Sequence, residues 1–318
     1  MTLSRRNAIR IGAGLGAMAL IDRHPLLAAQ EATLITKAIP ASGERIPAIG
    51  LGSARTFNLD PTGPEAEGPL EVVRLFHERH GTVIDTAPSY GRSEAFVGRA
   101  VAAIDAADDL FLATKVNVEG LGSEAALQQM EESSRVLGKR TVDLMQAWNL
   151  GDNFRSLGDR YLGSHLEAMR EWKRLGRARY IGITTSFPQQ YDEVETALRR
   201  EDLDFVQLDY SIGNRDPEDR LLDLAADRGV AVLINQPFST GGLFSRVAGR
   251  SLPSWAVDFD CSSWAQFFLK YIVSHPAVTC AIPATSDPEH LVDNMGACLG
   301  RLPGEGTRRR MVEVFEAL

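Results

Sequence analysis

The sequence predicts an α/β chain folded as a (β/α)8 TIM barrel with an N-terminal β-hairpin. Three observations carry that expectation. Eight short, near-continuous apolar runs recur over residues 48–283, as strands buried on both faces require. Amphipathic segments alternate with them, which is the rhythm of parallel strands covered by helices. The stretch GLGSAR, residues 50–55, lacks the GxGxxG that a doubly wound open sheet would carry after its first strand.

The elements follow in order. TLITKAI (33–39) and ERIPAI (44–49), separated by PASG, read as a hairpin that plugs one barrel end. The strands are AIGLG (48–52), TVID (82–85), LFLATK (110–115), DLMQAW (143–148), YIGIT (180–184), FVQLDY (205–210), VAVLIN (230–235) and VTCAIP (278–283). The first helix spans 69–80, with Pro69 in its first turn and Leu70, Val73, Leu75 and Phe76 among charges. Helices at 93–103 and 123–138 follow, the latter opening on Ser123 and closing on Gly138. Five more are expected at 164–175, 188–200, 215–228, 261–274 and 288–299. The run Arg308, Arg309, Arg310 beside acids reads as a solvated helix face.

Residues 1–29 read as an address. Arg5 and Arg6 precede an apolar stretch from Ile11 to Ile21, and small residues follow at Ala28 and Ala29. SRRNAIR resembles a bacterial twin-arginine (Tat) signal. The apolar stretch is too short and glycine-rich to span a membrane. A periplasmic mature protein, residues 30–318, is expected, with no stable membrane span.

The chain has 318 residues, 44% hydrophobic and 24% charged, with a formal net charge of −8. The acidic balance argues against nucleic-acid binding. Cys261, Cys280 and Cys298 form no disulfide framework, and the six histidines show no HExxH or ligand-spaced pairing, so no metal site is expected.

In such a barrel reactive groups sit at the C-terminal ends of strands. Asp85 ends the second strand, Tyr90 lies on the loop after it, and Lys115 ends the third. A Lys⁺ beside a phenol favours the phenolate and lowers its pKa, and Asp85 keeps Lys115 charged and oriented. That set makes a general acid for an oxyanion forming on a carbonyl. It lacks a hydride donor, which a nicotinamide cofactor would supply.

IPAIGLGSARTF, VIDTAPSYGRSE, LFLATKV, TVDLMQAWNLGD, GRARYIGIT, FVQLDYSIGNR and IPATSDPEHLVDN together resemble the aldo-keto reductase superfamily over nearly all of residues 33–303. The resemblance implies a (β/α)8 barrel that binds NADPH and reduces aldehydes and ketones. Asp85, Tyr90 and Lys115 match three members of its catalytic tetrad. Trp148 stands where relatives usually place His, offering one N–H and no acceptor. Asn149 should point away from the barrel axis if Trp148 points in.

By the same resemblance, Thr184 and Thr185 occupy the Ser-Asn pair that holds the nicotinamide amide, and Gln207 matches the usual Gln. Asn235 replaces a stacking Tyr. Pro237, Phe238, Ser239 and Gly241 belong to the pyrophosphate loop, and Thr285, His290, Asp293 and Asn294 to the adenine end. Ala284 and His290 stand where basic residues usually meet the 2′-phosphate, and Asp287 adds a negative charge, so NADP(H) is implied and NAD(H) is an open alternative. Asp287 also reads as the N-cap of a helix whose first residue is Pro288. Phe57 and Trp148 are expected as pocket walls for a small carbonyl or enone. The expected function is an exported NAD(P)H-dependent oxidoreductase. The alternative is a nicotinamide-binding sensor or accessory protein with little turnover. A sugar-binding barrel would give the Tyr–Lys–Asp set no purpose.

Overall fold

Strand alternation decides where this chain's chemistry sits. The computed structural model describes residues 34–117, 122–150 and 159–318. The expected export signal at residues 1–29 therefore lies outside the described residues. Ten strands are described: β1 (Thr36–Ala38), β2 (Arg45–Pro47), β3 (Leu51–Gly52), β4 (Val83–Asp85), β5 (Phe111–Val116), β6 (Val142–Ala147), β7 (Ala178–Thr184), β8 (Phe205–Asp209), β9 (Ala231–Asn235) and β10 (Val278–Ala281). β1 and β2 form the expected antiparallel hairpin, in register Lys37 to Ile46. The other eight run in the order β3 to β10, every neighbouring pair parallel.

The sheet closes where β10 meets β3. Gly50 N–H donates to Ala281 O at 2.8 Å and Gly52 N–H to Pro283 O at 3.0 Å, while Ala281 N–H returns to Ala48 O at 2.9 Å. Gly52 is needed for this approach, since a Cβ there would lie 2.7 Å from Ile282 O.

Side chains of alternate residues point inward. The inner apolar cluster is Val83, Phe111, Ala113, Leu144, Tyr180, Phe205, Ala231, Leu233, Cys280 and Ile282, sealed by Ile39 and Ile46 of the hairpin. Burying each isoleucine contributes about 1.5–3 kcal/mol. The hairpin turn is anchored from below, where Tyr180 OH meets Ser42 Oγ and Glu44 Oε2, both at 2.7 Å. Arg179 pairs with Glu44 and, at 2.8 Å, with Asp143.

A second, larger core lies between strands and helices. The ten described helices are α1 (Glu67–Glu78), α2 (Ser93–Ala103), α3 (Gly122–Leu137), α4 (Asp159–Arg174), α5 (Tyr191–Arg200), α6 (Leu221–Asp227), α7 (Gly242–Val247), α8 (Trp264–Val273), α9 (Pro288–Gly296) and α10 (Glu305–Glu316). The expected helix 188–200 opens with a 3₁₀ turn at Pro188–Gln190. The expected helix 215–228 breaks at Arg220, whose φ of −154° is not helical. α7 was not expected, and of α10 only the helix face at Arg308–Arg310 was.

The basic run on α10 is only partly a solvated face. Arg309 is exposed and pairs with Glu305. Arg308 is half-buried: its guanidinium lies 4.3 Å from the Tyr271 ring centre and donates to Glu218 Oε1 at 2.7 Å. Tyr271 OH donates to the same oxygen, also at 2.7 Å. Burial alone would lower the Arg308 pKa, and Tyr210, Tyr271 and Glu218 together outweigh it and raise it. No helix among the described residues is long and apolar enough to cross a membrane.

Candidate active site

The inner rows continue upward from the apolar cluster, and there they turn polar. Val83 leads to Asp85, Ala113 to Lys115, Leu144 to Gln146 and then Trp148. Phe205 leads to Gln207, and Leu233 to Asn235. The polar layer of the barrel thus follows from the same period of two that built the core.

Lys115 and Asp85 are both almost fully buried. Lys115 Nζ donates to Asp85 Oδ2 at 2.6 Å and to Thr86 O at 2.8 Å. The other carboxylate oxygen, Asp85 Oδ1, accepts from Gln207 Nε2 at 2.8 Å and Gln146 Nε2 at 3.2 Å. Gly182 occupies the inward slot between the two glutamines. A Cβ there would lie 2.6 Å from Phe205 O. Above it Gln207 Nε2 donates to Gln146 Oε1 at 3.4 Å.

Lys115 Nζ also lies 4.9 Å from the centre of the Tyr90 ring. Tyr90 sits in the 3₁₀ turn Pro88–Tyr90, which ends at Gly91 with φ +66°. A Cβ on Gly91 would collide with the Asn58 amide, 2.2 Å away. Asn58 Oδ1 accepts from Arg92 N–H at 3.0 Å and so joins the β3 and β4 loops.

Burial raises the Tyr90 pKa above that of a free phenol. Lys115 and the hydrogen bonds from Lys115 and Trp148 pull the other way and lose. The expected lowering is therefore corrected: Tyr90 stays protonated well past neutrality. Burial would lower Lys115, but Asp85 and Tyr90 outweigh it and raise it, so the ammonium keeps its charge. Trp148 takes its place in the strand with its N–H bonded to Val116 O at 3.0 Å. Its indole is a hydrogen-bond partner of the Tyr90 phenol.

The structure does not bring Phe57 to this set as a wall. Phe57 has no exposed surface and packs against Phe96 at 4.9 Å, inside the helix layer. Asn149 is buried, with φ +50°, and its N–H donates to Thr184 Oγ1 at 3.0 Å.

The nicotinamide-side candidates form a hydrogen-bonded floor. Thr185 Oγ1 donates to Gln190 Oε1 at 2.6 Å. Asn235 Nδ2 reaches Thr185 O at 2.9 Å and Gln207 Oε1 at 3.2 Å. Asn235 thus ties the β7 loop, through Gln207, to the Asp85 carboxylate. Two buried carbonyl oxygens in this floor, Asn149 Oδ1 and Asn235 Oδ1, have no hydrogen-bond partner. A carboxamide NH₂ is a donor of the kind they lack.

The adenine-side candidates do come together. Thr285, His290, Asp293 and Asn294 line one cavity of about 340 Å³ with Phe238 of the pyrophosphate loop and with Phe244, Ser263, Trp264, Ala265 and Ala284. Trp264 stacks on Phe268 at 5.8 Å and Phe238 packs on Phe244 at 4.9 Å. Aromatic walls and an amide edge fit a flat, hydrogen-bonding base. Between the two ends lies the β9 loop. Ser239 and Thr240 there hold φ of +48° and +53° beside Gly241 at +91°, a strained backbone of the kind found at ligand clamps.

Sequence reasoning missed Gln146, Phe244 and Trp264. Gln146 had a signal, a lone amide in the apolar run LMQAW, at the same height as Gln207 in FVQLDY. The two aromatics had none, because helix position and loop path decide what they face. Among the described residues, no group of three or more His, Cys, Asp or Glu could hold a metal ion.

The chain is 26% identical over 196 residues to the aldo-keto reductase YhdN of Bacillus subtilis, covering 58% of this chain and 56% of that protein. It therefore spans little more than half the length of that relative. It is 25% identical over 230 residues to an NADH-specific methylglyoxal reductase of Escherichia coli, covering 66% of this chain and 67% of that one. An aldo-keto reductase of Klebsiella pneumoniae, solved in complex with NADPH, superposes with TM-score 0.71 at 24% identity, covering 89% of this chain and 96% of that one, which shows the fold. Residues 48–309 match the aldo/keto reductase family, and this span holds all of β3 to β10 together with the buried Lys115–Asp85 pair and Tyr90: the chain belongs to that family.

Proposed function

We propose that this protein is a nicotinamide-dependent reductase of a small carbonyl or conjugated acceptor, with Tyr90 as general acid. The observation that carries the reading is the buried Lys115 ammonium, held 2.6 Å from Asp85 and 4.9 Å from the Tyr90 ring centre. A nicotinamide cofactor supplies hydride when bound. The protein's own groups do the rest. Lys115 and the Trp148 indole polarise the phenol, and burial keeps its proton in place until an oxyanion forms beside it. Asp85 holds Lys115 charged, and Gln146 and Gln207 hold Asp85.

Thr184, Thr185, Gln207 and Asn235 would hold the amide end of the cofactor. Pro237, Phe238, Ser239 and Gly241 would approach its pyrophosphate, and Thr285, His290, Asp293 and Asn294 its adenosine. The test follows cofactor absorbance with purified protein and a panel of aldehydes, quinones, enones and dicarbonyls. Methylglyoxal belongs in that panel because one relative is named for it. Turnover on some member, lost in Tyr90→Phe, supports the reading. Cofactor binding with no turnover on any member favours a sensor or accessory protein, which Trp148 in place of His motivates.

The reading includes export. Arg5 and Arg6 support a twin-arginine route to the periplasm with processing near residue 29. Replacing both by Lys in a bacterial host should retain the precursor in the cytoplasm, and unchanged fractionation would argue against the route.

A further inference from the structure

Resting on the cofactor reading above, we propose that the adenosine end of this site selects NAD(H) against NADP(H), and that the Asp287 carboxylate is the selecting group. None of the residues lining the 340 Å³ cavity is Lys or Arg. A phosphate on the adenosine ribose brings extra negative charge, and such a group is ordinarily met by Arg or Lys donors.

Three sources of positive potential near this cavity are already engaged. The N-terminus of α9 would attract an anion, but the protein supplies its own. Asp287 Oδ1 accepts from Glu289 N–H at 2.8 Å, and Asp287 N–H donates to Thr285 Oγ1 at 3.0 Å. His290, on the lining, has its Nδ1 3.9 Å from the other Asp287 oxygen, so even a protonated ring faces a carboxylate first. Lys270 of α8 is buried and gives its ammonium to Phe259 O, Leu299 O and Arg301 O at 2.8, 2.7 and 2.9 Å.

What the cavity does offer suits an unphosphorylated adenosine. Trp264, fixed by its indole N–H on Arg250 O at 2.9 Å, and Phe238 and Phe244 give faces for a base. Asn294 is an amide edge. Asp293 is held by Gln266 Nε2 at 2.8 Å. Asp287 is not itself on the lining but lies beside it, 3.9 Å from His290 and bonded to Thr285; from there its carboxylate would accept a hydrogen bond from a ribose diol and repel a phosphate ester.

The test is calorimetric titration of the full chain with NAD⁺, NADP⁺, 5′-AMP and adenosine 2′,5′-bisphosphate, none of which needs turnover. NAD⁺ should bind at least about tenfold more tightly than NADP⁺ at low salt, and the gap should narrow as salt screens the repulsion. The 2′-phosphate of the bisphosphate should give no gain over 5′-AMP. Asp287→Ser keeps a capping oxygen while removing the charge, and His290→Arg adds a cation without touching the cap. Each should shift the preference toward NADP⁺ by several-fold. NADP⁺ binding as tightly as NAD⁺ in the unaltered protein overturns the proposal and leaves the cofactor reading standing. A preference for NAD⁺ that neither variant moves overturns the role of Asp287. Binding of neither dinucleotide overturns both readings.

Discussion

Lys115 Nζ and Asp85 Oδ2 lie 2.6 Å apart inside the barrel, where neither side chain is more than 4% exposed. An ion pair this deep does not persist for stability's sake, since taking both charges out of water offsets much of their attraction. Its surroundings say what it is for. The free edge of the ammonium faces the Tyr90 ring, and the free edge of the carboxylate is filled by two glutamine amides. The pair is a fixed charge aimed at a phenol.

Removing one partner should therefore be costly. Lys115→Met leaves Asp85 buried and uncompensated, and urea denaturation should show a loss of about 3–5 kcal/mol. A loss below 1 kcal/mol would mean that the pair is far better hydrated than its burial implies.

The alkaline limb of the rate profile should report Tyr90. Its pKa is raised, chiefly by burial, so the protonated form persists above the ordinary tyrosine value. Activity should hold from neutrality to about pH 10 and fall only beyond it. The stability linked to this group has the same sign: present in full below the unfolded pKa and lost as pH rises through the folded one. A decline centred near pH 8 would show that Lys115 outweighs burial.

Trp148 should limit which acceptors react. Trp148→His restores a smaller side chain with both donor and acceptor capacity, and kcat/KM for aldehydes should rise at least about tenfold. Trp148→Phe removes the indole donor to Tyr90 and should lower kcat by a similar factor. Equal rates in all three would remove Trp148 from the reaction.

Gly182 should tolerate nothing larger. An added Cβ meets Phe205 O at 2.6 Å between the two glutamines. Gly182→Ala should cost about 1–3 kcal/mol by overpacking, read as a lower midpoint in thermal unfolding. An unchanged midpoint would mean that the β7–β8 contact is loose.

Much of this was legible in the sequence, for one physical reason. Buried parallel strands read as apolar runs whose ends can be located, so Asp85 and Lys115 could be placed from the pattern, while Gln207 and Asn235 were placed by the family resemblance. Three kinds of feature could not. The break at Arg220 and the appearance of α7 depend on local competition between 3₁₀ and α turns, which composition hardly registers. Phe57 and Arg308 were misread because an aromatic or basic side chain has the same identity whether it is buried or exposed. Tyr90's pKa came out with the wrong sign because the neighbouring Lys is visible in the sequence and the depth of burial is not. Trp264 and Phe244 come from separate helices, α8 and α7, and only the fold sets them around one cavity.

The central claim is that Tyr90, primed by Lys115 and Asp85, gives up the proton in a reduction driven by bound nicotinamide. Single-turnover oxidation of bound NADH by a dicarbonyl acceptor, compared between the unaltered protein and Tyr90→Phe at matched cofactor occupancy, tests it most directly. The account predicts that the variant binds NADH within about twofold of the parent and loses at least about 100-fold in the rate of turnover. Equal rates in the two proteins would contradict it.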